Sequence, residues 1–170
     1  MTDLAVSDPA SPDAVARPEA ASTPPRRRAF SVAWVVLRVV ATAHALMTVS
    51  QAVTIGQYLQ GNYAMIRLHA IVAGNLILVA ALLGVTGVVY VLLGGRVWVA
   101  FACAPLFFAE GIQTGMGYSR QLGIHIPLGV AIVTVALVLA VWSWTRAAGR
   151  PRARRPRAAG ATKIVTGEGR

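Results

Sequence analysis

The stretch QAVTIGQYLQGNYAMIRLHA, Gln51–Ala70, decides how this chain is read. It leaves one long apolar segment through Gln, Gly and Asn residues and enters the next with Arg67 and His69. An echo follows further along: AEGIQTGMGYSRQLGIHI, Ala109–Ile126, leaves an apolar segment through polar and Gly residues and re-enters the next with Arg120 and His125. Two such turns, with the tight Gly94-Gly95-Arg96 connection between them, divide the apolar middle of the chain into two helical hairpins.

Composition sets the solvent. The 170 residues are 56% hydrophobic and 13% charged, against roughly 25% charged in an average soluble domain. Acidic residues are confined to the tails (Asp3, Asp8, Asp13, Glu19, Glu168), apart from Glu110. Helices facing water would carry many more charges on their outer faces. The expected fold is therefore all-α: a polytopic membrane protein, a four-helix transmembrane bundle of two hairpins. Its spans fall at about 32–55, 66–93, 97–116 and 124–145, each long enough for a hydrocarbon core of about 30 Å. Pro105 is expected to kink the third helix or loosen one of its hydrogen bonds, and Pro127 falls in the first turn of the fourth, where Pro is tolerated.

Residues 1–29, rich in Pro, Ala, Ser and Asp, are expected to form a disordered cytoplasmic tail, and 147–170 a disordered basic one. The N-terminal segment is not expected to act as a signal peptide, because its basic and apolar parts come late. The net charge of +10 comes mostly from Arg26–Arg28 and Arg146–Arg157. Both clusters abut apolar segments, which favours topology signals and anionic-lipid contacts over nucleic acid. Arg38 sits near the start of the first span, within snorkelling reach of headgroups. Trp34, Trp98, Trp142 and Trp144 mark the same interface. The Arg distribution puts both termini inside and both His-bearing turns outside, an N-in/C-in multi-pass protein. A strong bias of Arg over Lys with abundant Ala, Val and Gly hints at a GC-rich bacterial genome, hence a bacterial plasma membrane. Expected partners are the lipid bilayer, anionic lipids at the basic tails, and a second copy or a larger membrane complex.

Polar side chains at membrane depth are costly and normally face the bundle interior. His44, Thr48 and Gln51 share one face of the first helix; Cys103, Glu110, Gln113, Thr114 and Gly117 share one face of the third. The single Cys103 excludes an internal disulfide and reads as a small core residue. Aligning His69 with His125 pairs Arg67 with Arg120 and Gln51 with Glu110. Ala73 and Gly129, one turn beyond each His, leave room for a flat group against the helix, or simply for close helix packing. In an up-down bundle the second and fourth helices are diagonal and run the same way, so His69 and His125 lie at similar depth. Diagonal axes stand roughly 13 Å apart when neighbours stand 8–10 Å apart. Two His reaching inward over that gap can act as axial ligands of one haem b, with Arg67 and Arg120 at the rim for its propionates. The alternatives are that each His hydrogen-bonds Gln51, Asn75 or Glu110, or faces interfacial water.

The pattern of Gln51 near the end of the first helix, His69 opening the second and His125-to-Gly129 (HIPLG) opening the fourth resembles small bacterial four-helix membrane proteins. More remotely, it is similar to one half of haem A synthase and to bis-His b-type cytochromes. That resemblance implies His on the second and fourth helices facing haem on the outer side. The chain departs from haem A synthase in having four helices rather than eight, and Arg67-Leu68 where an acidic residue precedes the helix-two His.

Three functions follow: a haem-binding electron-transfer or haem-handling protein, a cofactor-free accessory subunit, or a small proton-coupled transporter using His44 and Glu110. No nucleophile with a base, phosphate-binding Gly loop or metal-spaced cluster is present to indicate a catalytic residue or a metal site beyond a haem iron.

Overall fold

The computed structural model describes residues 25–152, which form four helices: α1 (Pro25–Leu59), α2 (Met65–Leu92), α3 (Trp98–Tyr118) and α4 (Leu122–Ser143). Each is long and apolar enough to cross a bilayer. Their outward faces are predominantly apolar, with Leu78, Phe101 and Val141 each more than two-thirds exposed. Such faces are stable only against lipid or other helices, as expected of an integral membrane protein.

The helices pack as a ring, α1 on α2, α2 on α3, α3 on α4 and α4 on α1, which leaves α1/α3 and α2/α4 as the diagonals. The two ends of the bundle differ. One, the terminal end, carries the ends of the described chain and the 93–97 connection. The other, the loop end, carries the turns at 60–64 and 119–121.

Backbone chemistry sets the turns. α1 closes on Gly61, whose φ of 98° places it in the left-handed region, with Asn62 N–H donating to the Gln57 carbonyl. α2 closes the same way on Gly94, φ 113°, with Gly95 N–H donating to Tyr90 O. These are glycine-terminated helix ends, where only a residue without Cβ enters the left-handed region at no cost. α3 ends on the same hydrogen-bond pattern, Gln121 N–H to Met116 O, but its left-handed residue is Arg120, φ 56°.

Three expectations are corrected at the boundaries. α1 begins at Pro25, so residues 25–29 are helix rather than tail. Pro suits a first helical turn, and the 35 residues of α1 span roughly 52 Å, so its basic first turns project beyond a bilayer core of about 30 Å. α4 begins at Leu122, so Pro127 is interior rather than in the first turn, and the helix runs on through it; α3 likewise runs on through Pro105. Finally, residues 147–152 fold back onto the terminal end. Ala148 is fully buried and its carbonyl accepts the Tyr90 hydroxyl at 2.8 Å. Gly149 lies against Trp34 so closely that a Cβ would approach its ring to 2.8 Å, and Arg152 N–H donates to Gly94 O. The expected tails at 1–24 and 153–170 lie outside the described residues.

The terminal half is packed solid. Leu37, Leu83, Tyr90, Val99, Cys103 and Leu139 bring all four helices together with almost no exposure. Gly87 admits the Cys103 sulfur, which a Cβ there would approach to 2.9 Å. Arg38 does not reach away from the bundle. Its guanidinium lies 3.9 Å over Trp34 and 4.6 Å over Trp144, and donates to the carbonyls of Ser143 and Trp144. It thereby satisfies the orphan acceptors at the C-terminus of α4.

Candidate functional site

The loop half holds a chamber of about 1090 Å³, lined by residues of all four helices and by Arg120. His69 and His125 face each other across it from the diagonal helices, their ring centroids 6.3 Å apart. The expected matching of depth between these two residues is what the fold provides.

Each ring is held by the helix preceding it in sequence. His125 Nδ1–H donates to the backbone carbonyl of Gln113 at 2.8 Å. His69 Nδ1 lies 3.2 Å from the carbonyl of Gln51 and 3.1 Å from the Thr54 hydroxyl, which itself donates to the same carbonyl. A carbonyl oxygen only accepts, so Nδ1 carries a proton in both rings and Nε2 is the ring nitrogen left to meet a ligand. His69 Nε2 has no partner among the described residues. His125 Nε2 is met only by the Gln113 amide nitrogen at 3.4 Å, well beyond a typical N–H donor distance.

The internal repeat is thereby re-registered. Gln51 corresponds to Gln113 rather than to the expected Glu110: both glutamines present a backbone carbonyl to a His Nδ1. The hairpin turns differ in length, which hides this pairing from residue spacing. Gln51 additionally returns its amide to the His69 carbonyl at 3.2 Å. Thr54, unremarked in the sequence, completes the first clamp; no local pattern distinguishes it from other intramembrane threonines. In the second hairpin Gly117 takes over, because a Cβ there would stand 2.9 Å from the His125 ring.

The space expected beside Gly129 is not free. The Gln113 amide fills it, 2.7 Å from where a Cβ would be. Ala73 does line the chamber. Of the two rim arginines, Arg120 lines the chamber while Arg67 is exposed and lies outside its lining. Asn75 is also outside, on the exposed face of α2.

Glu110, on α3, forms the chamber's floor, and His44, on the diagonal α1, holds it from the terminal side, with Nε2 and Oε1 3.1 Å apart. His44 is fully buried and Glu110 nearly so, and His44 Nδ1 has no hydrogen-bond partner. The side-chain oxygens of Gln51 and Gln113 are likewise buried and unpartnered. Three buried polar side chains at or beneath the chamber thus keep unused hydrogen-bonding capacity, counter to the ordinary rule for buried groups.

Among the described residues no three His, Cys, Asp or Glu side chains cluster as a bare metal ion would require. Two imidazoles suffice for a metal that brings its own equatorial ligands, as haem does. A metal lying between two imidazole nitrogens sits about 2 Å from each, which places the ring centroids about 6 Å apart. The observed 6.3 Å matches that centroid spacing, with His125 Nε2 turned toward the Gln113 amide nitrogen 3.4 Å away. Ligating histidines also commonly donate their second ring N–H to a carbonyl, which fixes the tautomer and ring orientation, and both rings here do so. In centroid spacing and in Nδ1 hydrogen bonding the pair is compatible with such a group. No protein-family model, curated protein or solved structure matches the chain.

Proposed function

We propose that this is a membrane haem b protein, binding the cofactor between α2 and α4 for electron transfer or haem handling. The observation that carries the reading is the pair of Nδ1-anchored imidazoles, 6.3 Å apart across an otherwise hollow chamber. Bound haem would supply one-electron chemistry at an iron whose potential its axial ligands and burial tune. The chain's own residues do the rest. His69 and His125 would hold the iron, and the carbonyls of Gln51 and Gln113 would keep both rings aimed. Ala73 leaves width for the macrocycle, and Arg120 at the mouth offers a guanidinium for a propionate.

The Arg distribution supports the orientation. Arg26–Arg28, Arg96, Arg146, Arg150 and Arg152 lie at or beyond the terminal end, against Arg67 and Arg120 at the loop end. By the positive-inside preference the termini are cytoplasmic and the chamber opens on the opposite side of a bacterial plasma membrane.

The test is optical. Protein purified in detergent after expression with haem available should show a Soret band and sharp low-spin visible bands on reduction. His69→Ala or His125→Ala alone should convert the spectrum to a five-coordinate form, and the double variant should lose the cofactor. A colourless wild-type protein, or a spectrum indifferent to both substitutions, would leave the cofactor-free accessory reading in its place.

A further inference from the structure

Asn75 lies ten residues into α2, about 15 Å along the helix axis from Met65, deep within the span. It faces outward, away from the chamber and from the neighbouring helices. One amide N–H donates to the Ile71 carbonyl at 2.8 Å, an acceptor already used by the helix backbone. The other N–H and the side-chain oxygen have no partner among the described residues. Lipid offers none, so a half-satisfied amide at this depth is costly unless another chain covers it.

The residues in line with it show what shape the cover takes. Ile71, Asn75, Leu78, Leu82, Val85 and Val89 follow one another at alternating steps of four and three, and the five apolar members are all between 43% and 68% exposed. That is an unbroken heptad seam, with Asn75 at an a position. Apolar seams are unremarkable on a lipid-facing helix; a single Asn within one is not. In parallel coiled coils a lone a-position Asn selects two strands in one register, because its amide is both donor and acceptor and pairs with itself across a two-fold axis. Two copies inserted in the same orientation bring residue 75 to the same depth without any register adjustment. Gly74, with open space around it, lets the second backbone approach.

We propose that the protein is a parallel homodimer about an axis along the membrane normal, joined through α2 with Asn75 paired to the partner's Asn75. The two haem chambers would then lie on opposite sides of a shared α2–α2 seam. This inference does not depend on the cofactor reading.

Disulfide trapping of the full-length chain in membranes tests the surface, with Cys103→Ala removing the native thiol. Ile71→Cys, Leu78→Cys and Val85→Cys should each give a covalent dimer on mild oxidation, whereas Phe101→Cys and Val138→Cys, equally exposed on α3 and α4, should not. Cross-linking no better along α2 than at those controls, the result if a different protein covers the seam, overturns the proposal. The amide is tested separately by dimer dissociation in detergent. Asn75→Val should weaken the dimer about three- to thirty-fold and Asn75→Gln much less; equal affinity of all three proteins overturns self-pairing. The trapping variants retain Asn75, so misfolding of Asn75→Val leaves the surface open to refutation.

Discussion

The two halves of this bundle use the same four helices to opposite ends. In the terminal half, large side chains from every helix meet at Tyr90 and Leu83, and even the chain beyond α4 returns to seal the bundle through Ala148. In the loop half a cavity takes the place of packed side chains, and its two histidines are tied to backbone carbonyls of the adjacent helix. A packed core draws its rigidity from interdigitation. The chamber instead draws its rigidity from directional bonds anchored on helices that the other half holds in place. Packing and vacancy are thus divided along the bundle axis, and His44 with Glu110 marks the division.

The largest effect is expected at that division. Replacing Glu110 alone with Leu leaves the buried His44 imidazole without its hydrogen-bond partner and should cost about 2–4 kcal/mol. His44→Leu combined with Glu110→Leu should restore most of that stability, since replacing both partners by apolar groups of similar volume is often nearly neutral. Unfolding in mixed micelles for the wild type, both singles and the double completes the cycle. A double variant as unstable as the singles combined would mean that the pair is not the unit that joins the halves.

Next come two substitutions that exchange the character of the halves. Leu83→Ala opens a cavity where packing is complete. Lipid is as apolar as the core, so the loss is mainly of dispersion contacts, about 1–3 kcal/mol. Ala73→Leu places bulk in the chamber. It should leave thermal stability in detergent unchanged or slightly raised while abolishing haem retention. If Ala73→Leu destabilised the protein as much as Leu83→Ala, the chamber would be no chamber, and the contrast between the halves would fail.

Much of this arrangement is legible in the sequence because it rests on long apolar runs and on depth. The four spans follow from counting residues between polar turns, and the facing of His69 with His125 follows once those spans are set in a sequential up-down ring. The parts that were not legible depend on backbone groups or on chain returning from outside a periodic pattern. The carbonyls of Gln51 and Gln113 that aim the two rings belong to no side-chain motif. Their equivalence is hidden because the hairpins turn over different lengths. Ala148 and Gly149 look like any small residues in a basic tail, yet the Tyr90 hydroxyl needs an acceptor and finds it there. Pro25 and the arginines after it read as tail by composition, although nothing in them opposes helix once a membrane span follows.

The smallest predicted effect separates shape from chemistry in the loop half. Arg120 holds a left-handed backbone, φ 56°, at a helix end where the other two loops of the described chain use Gly61 and Gly94. A residue with a Cβ in that region costs on the order of 1 kcal/mol, so a bulky cation there opposes local backbone preference. Such a conflict points to a role for the side chain, and Arg120 is the rim arginine that lines the chamber. Arg120→Gly should therefore raise unfolding stability by about 1 kcal/mol, while speeding haem loss to an acceptor protein by removing a propionate partner. Arg67→Gly, outside the chamber lining, should leave haem loss unchanged. Were Arg120→Gly to hold haem as long as the wild type, Arg120 would be a strained turn and nothing more, and the chamber's hold on its ligand would rest on the two imidazoles alone.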